Sequence, residues 1–437
     1  MIKLQVFFLV IILSTEICHS IIPIERSAQS SILADKKLFF FGGMSSQLLS
    51  SFNQILYLDV SKPFNTTNPP FEILNVSIPF RSSYATALFS PLKNEVYLFG
   101  GFMRNELNDD NMFGNHISVL ISFNLENNGW NFTFTKTNGI APENRRLING
   151  VINNKTGKFY IFGGVNDTFT GATTNSIAFN DMNIFDTISL TWSKGSAEGS
   201  PLPLIGYTAT LLSNGIIVFI GGEERPYNYN VSLNQLALYD TKVDQWSSMR
   251  AQGITLENRS YHSAVLTSDE RIIVFGGDNF LNQYQLAVLN TKVVPYEWSV
   301  PTPAPPLPLT TYSHSATLVG NYMFINFGKV DYVDSNHEQL PYFYILDIRN
   351  FTWVAQYEPE QLSQLPNSTN TVNTSTTNSP GLSVETPSDN DKKIGIIIGA
   401  VGLSVVTVAG LLIGYKYYKK QRVHRYAKQA KQCVSYN

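Results

Sequence analysis

Four histidines in the central part of the chain are the side chains best suited to bind a metal ion, because imidazole and phenolate groups can hold copper. The chain has only two cysteines, Cys18 near its start and Cys433 near its end. The central part therefore offers neither a thiolate ligand nor a disulfide. Two of the histidines, His262 and His314, occupy the same place in successive repeats. We predict no metal and no cofactor. The four histidines are His116, His262, His314 and His337.

Other catalytic patterns are missing from the sequence. It contains no Gly-x-Ser-x-Gly elbow, no His-Glu-x-x-His, no phosphate-binding loop and no dinucleotide fingerprint. Asp109-Asp110 and Glu223-Glu224 are adjacent acidic pairs, whereas a glycosidase needs two carboxylates opposed across about 5 to 10 Å. These pairs are better explained as solvated loop charge. The sequence therefore predicts a protein that is not an enzyme.

A repeated pattern predicts the elements that position the remaining polar residues. Six apolar runs of strand length end in glycine, at intervals of about 57 residues, and such a period indicates a repeat array. The runs are short and rich in β-branched and aromatic residues, which is typical of strands buried on both faces. The glycine positions are Gly42-Gly43, Gly100-Gly101, Gly163-Gly164, Gly221-Gly222, Gly276-Gly277 and, in a decayed copy, Gly328-Lys329.

Three more strands are predicted around each glycine position. The first of these strands precedes the glycine position, and its segment opens with arginine in four copies. The next strand follows the glycine position and ends in Asp or Asn, which favours a tight turn. The last strand carries a tryptophan. Such four-stranded units cannot bury both faces alone, so we expect six of them to stack radially as blades. The tryptophans are Trp130, Trp192, Trp246, Trp298 and Trp353, and the turn residues are Asp59, Asn124, Asp186, Asp240, Asn290 and Asp347.

The order of apolar run, Gly-Gly, Tyr-Asp and Trp resembles the kelch repeat of the galactose oxidase and kelch superfamily. The resemblance covers about residues 21 to 358 and implies an all-β, six-bladed β-propeller with four-stranded blades; a partial seventh blade, hidden in the atypical terminal units, is the alternative. It also implies a structural role for His262 and His314, because kelch sequences commonly carry a histidine at this place. In galactose oxidase copper is bound by tyrosines and histidines, with a tyrosine cross-linked to a cysteine. An extracellular carbohydrate-active enzyme is therefore an alternative, which the missing cysteine disfavours. Two departures from the kelch pattern are expected. Phe64 or Phe71 replaces the tryptophan of the first repeat, and Lys329 replaces the second glycine of the last repeat.

Both ends of the chain predict a single-pass membrane protein. Residues 1–20 have the basic start, short apolar core and small final residues of a secretory signal peptide. Residues 394–415 carry no charge and are long enough to form a transmembrane α-helix. Seven basic residues follow this span and two precede it. The positive-inside rule thus places the basic tail, 416–437, in the cytosol and the propeller outside the cell, at the plasma membrane.

The composition between propeller and span predicts a disordered stalk. Residues 359–393 are rich in Ser, Thr, Asn and Pro and poor in apolar residues. All Asn-x-Ser/Thr sequons precede the span, as expected of a glycoprotein of this topology. The region outside the cell is acidic and lacks a basic cluster, so nucleic acid is not an expected partner. The sequons are at Asn65, Asn75, Asn131, Asn154, Asn166, Asn230, Asn258, Asn350, Asn367 and Asn373.

Ligand binding is predicted on one face of the propeller. The loops after the glycine pairs vary in length and carry Tyr, Phe and Asn, which is usual for recognition loops on a rigid scaffold. Tyr227 and Tyr229 are candidates for ligand contact. The resemblance to peptide-binding kelch domains implies that arginines line the mouth of this face; the alternative is that they only brace neighbouring blades. These arginines are Arg26, Arg81, Arg146 and Arg259.

The organisation resembles that of fungal type I membrane-anchored kelch proteins. We predict a receptor or adhesion protein, without enzymatic activity, whose glycosylated propeller binds a protein or glycan. A membrane-tethered scaffold that acts through its cytoplasmic tail is a further alternative. Gly395-x-x-x-Gly399 and Gly410-x-x-x-Gly414 would let two spans approach in a homodimer, although glycine is frequent in membrane helices in any case.

Overall fold

The computed structural model describes residues 21–45, 48, 50–78, 80–104, 120–124, 132–134, 137–170, 176–278, 284–302, 311–330 and 343–359. These residues belong to one compact unit, Met1–Ser363, and form strands and turns. None of the described residues lies in a helix that is long and apolar enough to cross a membrane. The predicted signal peptide, span and tail lie outside the described residues, as does the stalk beyond residue 359.

Six antiparallel sheets form the core of the described region, and each takes its four strands in chain order. Sheet 1 contains Ser30–Ala34, Lys37–Phe41, Ile55–Asp59 and Glu72–Ile73; sheet 2 contains Thr86–Ser90, Glu95–Phe99, Leu120–Asn124 and Phe132–Phe134; sheet 3 contains Val151–Asn153, Lys158–Phe162, Met182–Asp186 and Thr191–Lys194. Sheet 4 contains Thr208–Leu211, Ile216–Ile220, Gln235–Asp240 and Gln245–Arg250; sheet 5 contains Ser263–Leu266, Arg271–Phe275, Leu286–Asn290 and Glu297–Ser299; sheet 6 contains Ser315–Val319, Tyr322–Asn326, Phe343–Asp347 and Thr352–Trp353. Asn138–Gly139 and Gln252–Gly253 add a parallel outer strand to sheets 3 and 5.

The segment ahead of each first strand pairs with the segment after the glycines of the same sheet. In sheets 1, 3 and 5 the pairing is a single bridge: Ser27 with Met44, Arg146 with Val165, and Ser260 with Asp278. In sheets 2, 4 and 6 it is a short ladder: Arg81–Ser83 with Phe102–Arg104, Leu204–Ile205 with Glu223–Glu224, and Thr311–Tyr312 with Lys329–Val330. Both segments therefore lie at one end of the sheets, here called the loop face, as predicted. Further short hairpins on this face pair Met44–Ser45 with Ser50–Ser51, Val165–Asn166 with Ile177–Ala178, and Glu223–Glu224 with Tyr229–Asn230.

A ring of backbone hydrogen bonds connects the six first-strand segments. One residue in each segment has a φ between 52° and 61°, and its N–H donates to the carbonyl of its counterpart in the preceding sheet. Ala28 donates to Ser313 of sheet 6, so the ring returns to its start. The six donor–acceptor distances lie between 2.7 and 3.2 Å. The ring residues are Ala28, Tyr84, Leu147, Gly206, Tyr261 and Ser313.

Apolar residues are buried between neighbouring sheets, and the clusters follow the same cyclic order. Each of six clusters in the described region draws on two adjacent sheets, including one between sheets 6 and 1. Phe64 and Phe71 both lie in this last cluster. The register of the outer strand brings Phe71 opposite Leu58, the position that tryptophan takes in sheets 3 to 6, whereas Phe64 pairs with Tyr357. Gln356–Tyr357 also pairs with Phe64–Asn65, so the end of the repeat region is tied to its beginning.

The tryptophans pack as the repeat pattern predicts. Trp192, Trp246 and Trp298 are buried, and the ring centroid of Trp246 lies 4.8 Å from that of Phe162 in the preceding sheet. Trp298 Nε1 donates to the carbonyl of Leu233 at 3.0 Å. Trp353 is half-buried against Phe275, 5.6 Å between centroids. Trp130 lies outside the described residues.

The predicted tight turns are also present. An Asp or Asn ends the third strand of each of the six sheets, and in five of them its Oδ1 accepts a hydrogen bond from the backbone N–H two residues later at 2.8 to 3.0 Å. This local bond fixes the turn into the fourth strand without help from other sheets. The residues are Asp59, Asp186, Asp240, Asn290 and Asp347.

The prediction for the last repeat is wrong by one residue. Gly328 has a φ of 105° and Phe327 one of 58°, which match the second and the first glycine of the other repeats, respectively. The N–H of Gly328 donates to the carbonyl of Arg26, just as each second glycine donates to the segment of the next sheet. The last repeat has therefore lost its first glycine, because a φ near 60° is open to other residues at a modest cost, whereas one near 100° favours glycine strongly.

Candidate binding face and central channel

Two of the predicted mouth-lining arginines are buried braces. Arg26 is 2% exposed and Arg259 is fully buried. Nη1 of Arg26 donates to the carbonyl of Gly42 at 3.2 Å, and Nη1 of Arg259 to that of Gly276 at 3.1 Å. Burial lowers the pKa of each guanidinium to about 10, so both stay charged at neutral pH. The expectation that these two arginines meet ligand is wrong: they hold the glycine turns of their own sheets.

The third arginine of this kind is Arg145, which the sequence reasoning missed. It is 1% exposed, and its Nη1 donates to the carbonyl of Gly163 at 3.0 Å. The second glycine of each repeat donates its N–H to one carbonyl of the next first-strand segment, and these bonds align the segments: Gly43 contacts Ser82, and Gly101 contacts Arg145. In this alignment Arg146 lies one position after the brace position, and Arg81 lies one position before it. The spacing from arginine to first glycine is 16, 18 and 17 residues in the three braces. Spacing alone therefore cannot separate Arg145 from Arg146.

Arg146 and Arg81 do reach the loop face. The guanidinium of Arg146 forms an ion pair with Asp167 at 2.6 Å and lies 5.0 Å from the ring centroid of Phe169. Phe169 is 46% exposed, so this pair presents an aromatic surface backed by a fixed cation. Arg81 is half-buried, and its Nη1 contacts the hydroxyl of Ser50. The structure thus keeps two of the four arginines as candidate ligand contacts.

Tyr227 and Tyr229 are the most exposed aromatic pair in the described region, at 62% and 70%. Their rings are parallel to within 13°, with centroids 6.4 Å apart. The hairpin that carries them is fixed by an ion pair of Arg225 with Glu223 at 3.2 Å and by a hydrogen bond from Arg225 to Asn228 at 2.6 Å. Glu223 is therefore a structural partner of Arg225 with a side chain only 16% exposed, rather than the solvated charge that the sequence predicts; Asp109 and Asp110 lie outside the described residues.

The first strands enclose a cavity of ≈ 180 Å³ on the axis of the ring. Hydroxyl, amide, imidazole and apolar side chains line it, and none of its described lining residues is Asp, Glu, Lys or Arg. Burial raises the pKa of Tyr261 at the mouth to about 12, so this phenol is neutral as well. The lining comprises residues 28–31, 84–87, 147–149, 206–208, 261–264 and 313–316.

His262 and His314 belong to the wall of this cavity. Nε2 of His262 lies 3.0 Å from Oγ1 of Thr208, and Nε2 of His314 lies 2.7 Å from Oγ of Ser263. Each bond reaches the first strand of the preceding sheet, which supports the predicted structural role. Burial lowers the pKa of both imidazoles to about 3. No group of three or more His, Cys, Asp or Glu side chains suited to a metal occurs among the described residues; His116 and His337 lie outside them.

These two histidines predict acid sensitivity of the fold. Below pH 6.5 the unfolded chain takes up protons that the folded chain, with pKa values of about 3, does not. Stability therefore falls as pH drops from 6.5 towards 3, by up to about 1.4 kcal/mol per pH unit for each histidine. Arg259 adds to the effect at His262 because its charge also lowers that pKa.

Urea denaturation at pH 7.5 and pH 5.0 measures this effect. The double variant His262→Gln, His314→Gln is expected to lose about 4 kcal/mol less stability between the two pH values than the parent. Glutamine suits the position, because Gln29 occupies it in sheet 1 and donates to Ser315 at 3.0 Å. Equal losses in parent and variant would show that both histidines are protonated in the folded state.

The sequons differ in exposure. Asn65, Asn75, Asn154, Asn258 and Asn350 are exposed, and Asn166 and Asn230 are half-buried. Nδ2 of Asn258 donates to the carbonyl of Asn230 at 3.0 Å, so these two sites adjoin. Glycosylation stays a prediction for all of them; Asn131, Asn367 and Asn373 lie outside the described residues.

Comparison with known proteins identifies the family. The model of the KLHDC2/KLHL20/DRC7 Kelch-repeats domain matches residues 64–277 and 206–378, which together span more than half of the chain. The chain is 25% identical to human Kelch domain-containing protein 3 over 290 residues, 62% of this chain and 69% of that protein. It is 26% identical to bovine Kelch domain-containing protein 3 over 231 residues, 51% of this chain and 54% of the relative. With Acyl-CoA-binding domain-containing protein 4 of Arabidopsis thaliana it shares 22% over 238 residues, 54% of this chain and 33% of that protein.

The fold and these matches define the protein as a kelch-repeat β-propeller. It belongs to the KLHDC2/KLHL20/DRC7 kelch-repeat family. Propellers of this class are generally non-enzymatic domains for protein interaction. The chain spans only about half of the length of the bovine relative, and the resemblance to fungal membrane-anchored kelch proteins stays a prediction.

Proposed function

We propose that the protein is a single-pass type I membrane receptor or adhesion protein, whose extracellular six-bladed propeller binds a protein or glycan through its loop face. The six sheets are the blades in this proposal. The closed order of six inter-sheet hydrogen bonds and the apolar cluster between sheets 6 and 1 support that blade number. The signal peptide, the apolar span and the basic tail predicted from the sequence support the membrane topology.

The observation that carries the binding function is the exposed pair Tyr227 and Tyr229. Contact between exposed aromatic surface and water is unfavourable. Burying such surface in a complex favours binding by roughly 25 cal/mol per Å². Tyrosine also adds a hydroxyl for hydrogen bonding at a low cost in side-chain entropy. The rigid hairpin below the pair lowers the ordering cost of binding further. Phe169, whose ring lies against the guanidinium of Arg146, is a second candidate for ligand contact on the same face.

Truncating the tyrosine pair tests this function. We expect the double variant Tyr227→Ala, Tyr229→Ala to weaken ligand binding by roughly 1 to 3 kcal/mol for each ring, with an unchanged melting temperature. Binding is measured with fluorescent glycans and extracellular proteins on intact cells that carry the full-length chain with an epitope after residue 20.

The matched control is Val243→Ala. Val243 is 59% exposed and lies in the turn between the third and fourth strands of sheet 4, at the end opposite the loop face. Loss of binding in this control, with none in the tyrosine variant, would place the ligand on the opposite face. Epitope staining only after permeabilisation would contradict the topology.

A further inference from the structure

The mouth of the axial cavity is asymmetric. Of the six ring residues, Tyr84, Leu147 and Tyr261 are large, whereas Ala28, Gly206 and Ser313 are small. The phenol ring of Tyr261 covers Gly206, since a Cβ at this glycine would lie 2.9 Å from Cε1 of Tyr261. Ala28 and Ser313 are neighbours in the ring and are joined by a 2.7 Å hydrogen bond. Among the described residues, the side of sheets 6 and 1 therefore leaves the cavity most accessible.

The described residues of the wall below this side are polar and uncharged. Nε2 of Gln29 donates to Oγ of Ser315 at 3.0 Å and to the carbonyl of Asn326 at 2.9 Å. Oε1 of Gln29 is buried and has no hydrogen-bond partner among the described residues. A buried acceptor is unfavourable unless a donor satisfies it. The hydroxyls of Ser30 and Ser31 lie beside it in the lining.

We propose that this cavity binds a small neutral polyhydroxylated molecule of the size of one sugar ring. A charged ligand would lose its hydration against a wall that offers no countercharge. An apolar one would leave the buried acceptor of Gln29 unsatisfied. The volume, ≈ 180 Å³, far exceeds the roughly 10 to 15 Å³ that one water needs and falls short of the roughly 300 to 1,000 Å³ of sites for drug-sized ligands. This site lies inside the ring of first strands and does not depend on the ligand proposed for the loop face.

Saturation-transfer NMR on the full-length chain in lipid nanodiscs tests the proposal. The probes are myo-inositol and D-glucose, with D-glucuronate as a charged counterpart of glucose. We expect both neutral probes to bind and glucuronate to bind at least tenfold more weakly. No signal from either neutral probe would mean that the cavity holds water only, and equal binding of glucose and glucuronate would equally overturn the proposal.

Closing the mouth is the second arm of this experiment. Ser313→Tyr introduces a side chain that the fold already accepts at the equivalent positions, Tyr84 and Tyr261, with φ values of 56° and 55°. We expect it to weaken binding of the neutral probes at least tenfold with an unchanged melting temperature. Ala28→Tyr closes the same side from sheet 1 and serves if the first variant is unstable. Leu92→Tyr, at an exposed turn on the opposite face, is the control; unchanged binding in both mouth variants contradicts the proposal.

Discussion

Replacing Arg259 by alanine is expected to destabilise the folded protein by about 3 to 5 kcal/mol, as is typical when one partner of a buried charged network is removed. The guanidinium is fully buried and donates to the carbonyls of Gly276 at 3.1 Å and Tyr284 at 2.7 Å. Alanine leaves these acceptors without that donor and leaves a cavity behind. Denaturant unfolding followed by tryptophan fluorescence measures the loss.

The control for this variant is Arg250→Ala. Arg250 is exposed at the end of the outer strand of sheet 4, and exposed substitutions usually change stability by less than about 0.5 kcal/mol. If Arg259→Ala kept the stability of the parent but lost ligand binding, Arg259 would line the mouth after all, and its assignment as a brace would be wrong.

The arginine braces alternate around the ring. Arg26, Arg145 and Arg259 serve sheets 1, 3 and 5, where the segment is tied to its loop by one bridge only. In sheets 2, 4 and 6 the equivalent residues are Ser82, Leu204 and Thr311, and a ladder of two or three residues takes over. A long side chain and extra backbone pairing thus stabilise the same turn in two ways. We infer that the brace compensates for the shorter ladder.

The repeat itself could be predicted because its signals are local. Apolar runs, glycine pairs and an Asp or Asn at the start of a turn act within a few residues of chain, and the sheets, tight turns and buried tryptophans follow from them. The register of the arginine segment was not predictable in the same way. Its partners lie 16 to 18 residues away, and loops of unequal length shift the spacing by as much as the difference between Arg145 and Arg146.

The exposed tyrosines and the axial cavity differ in the same respect. Tyr227 and Tyr229 lie in a polar loop without apolar periodicity, so their exposure could be expected from sequence. The cavity exists only after the ring is closed, because Gln29 meets Ser315 across 286 residues of chain. Its uncharged lining combines residues from six segments, and no single segment indicates a cavity by its sequence. The polar site on the axis therefore became visible only in the structure.

Gly101→Ala is the second substitution with a large expected effect. Gly101 has a φ of 91°, and its N–H donates to the carbonyl of Arg145 at 2.8 Å. A Cβ there would lie 2.7 Å from both Cβ of Ala85 and the carbonyl oxygen of Ser83, and 2.8 Å from the nitrogen of Ala85. Backbone strain and overpacking each cost about 1 to 3 kcal/mol. We expect a total of about 3 to 5 kcal/mol.

Gly199→Ala separates the two causes. Gly199 has a similar φ of 75°, but the nearest atom to an added Cβ is Cβ of Trp246 at 3.5 Å, an ordinary contact. Only the backbone strain of about 1 to 2 kcal/mol should remain there. Urea denaturation of both variants under one set of conditions gives the comparison. If Gly101→Ala lost no more stability than Gly199→Ala, glycine would be needed at position 101 only for its backbone angle. A clearly larger loss assigns it to the close approach between the glycine turn and the first-strand segment of the same sheet, which carries the ring residue Tyr84.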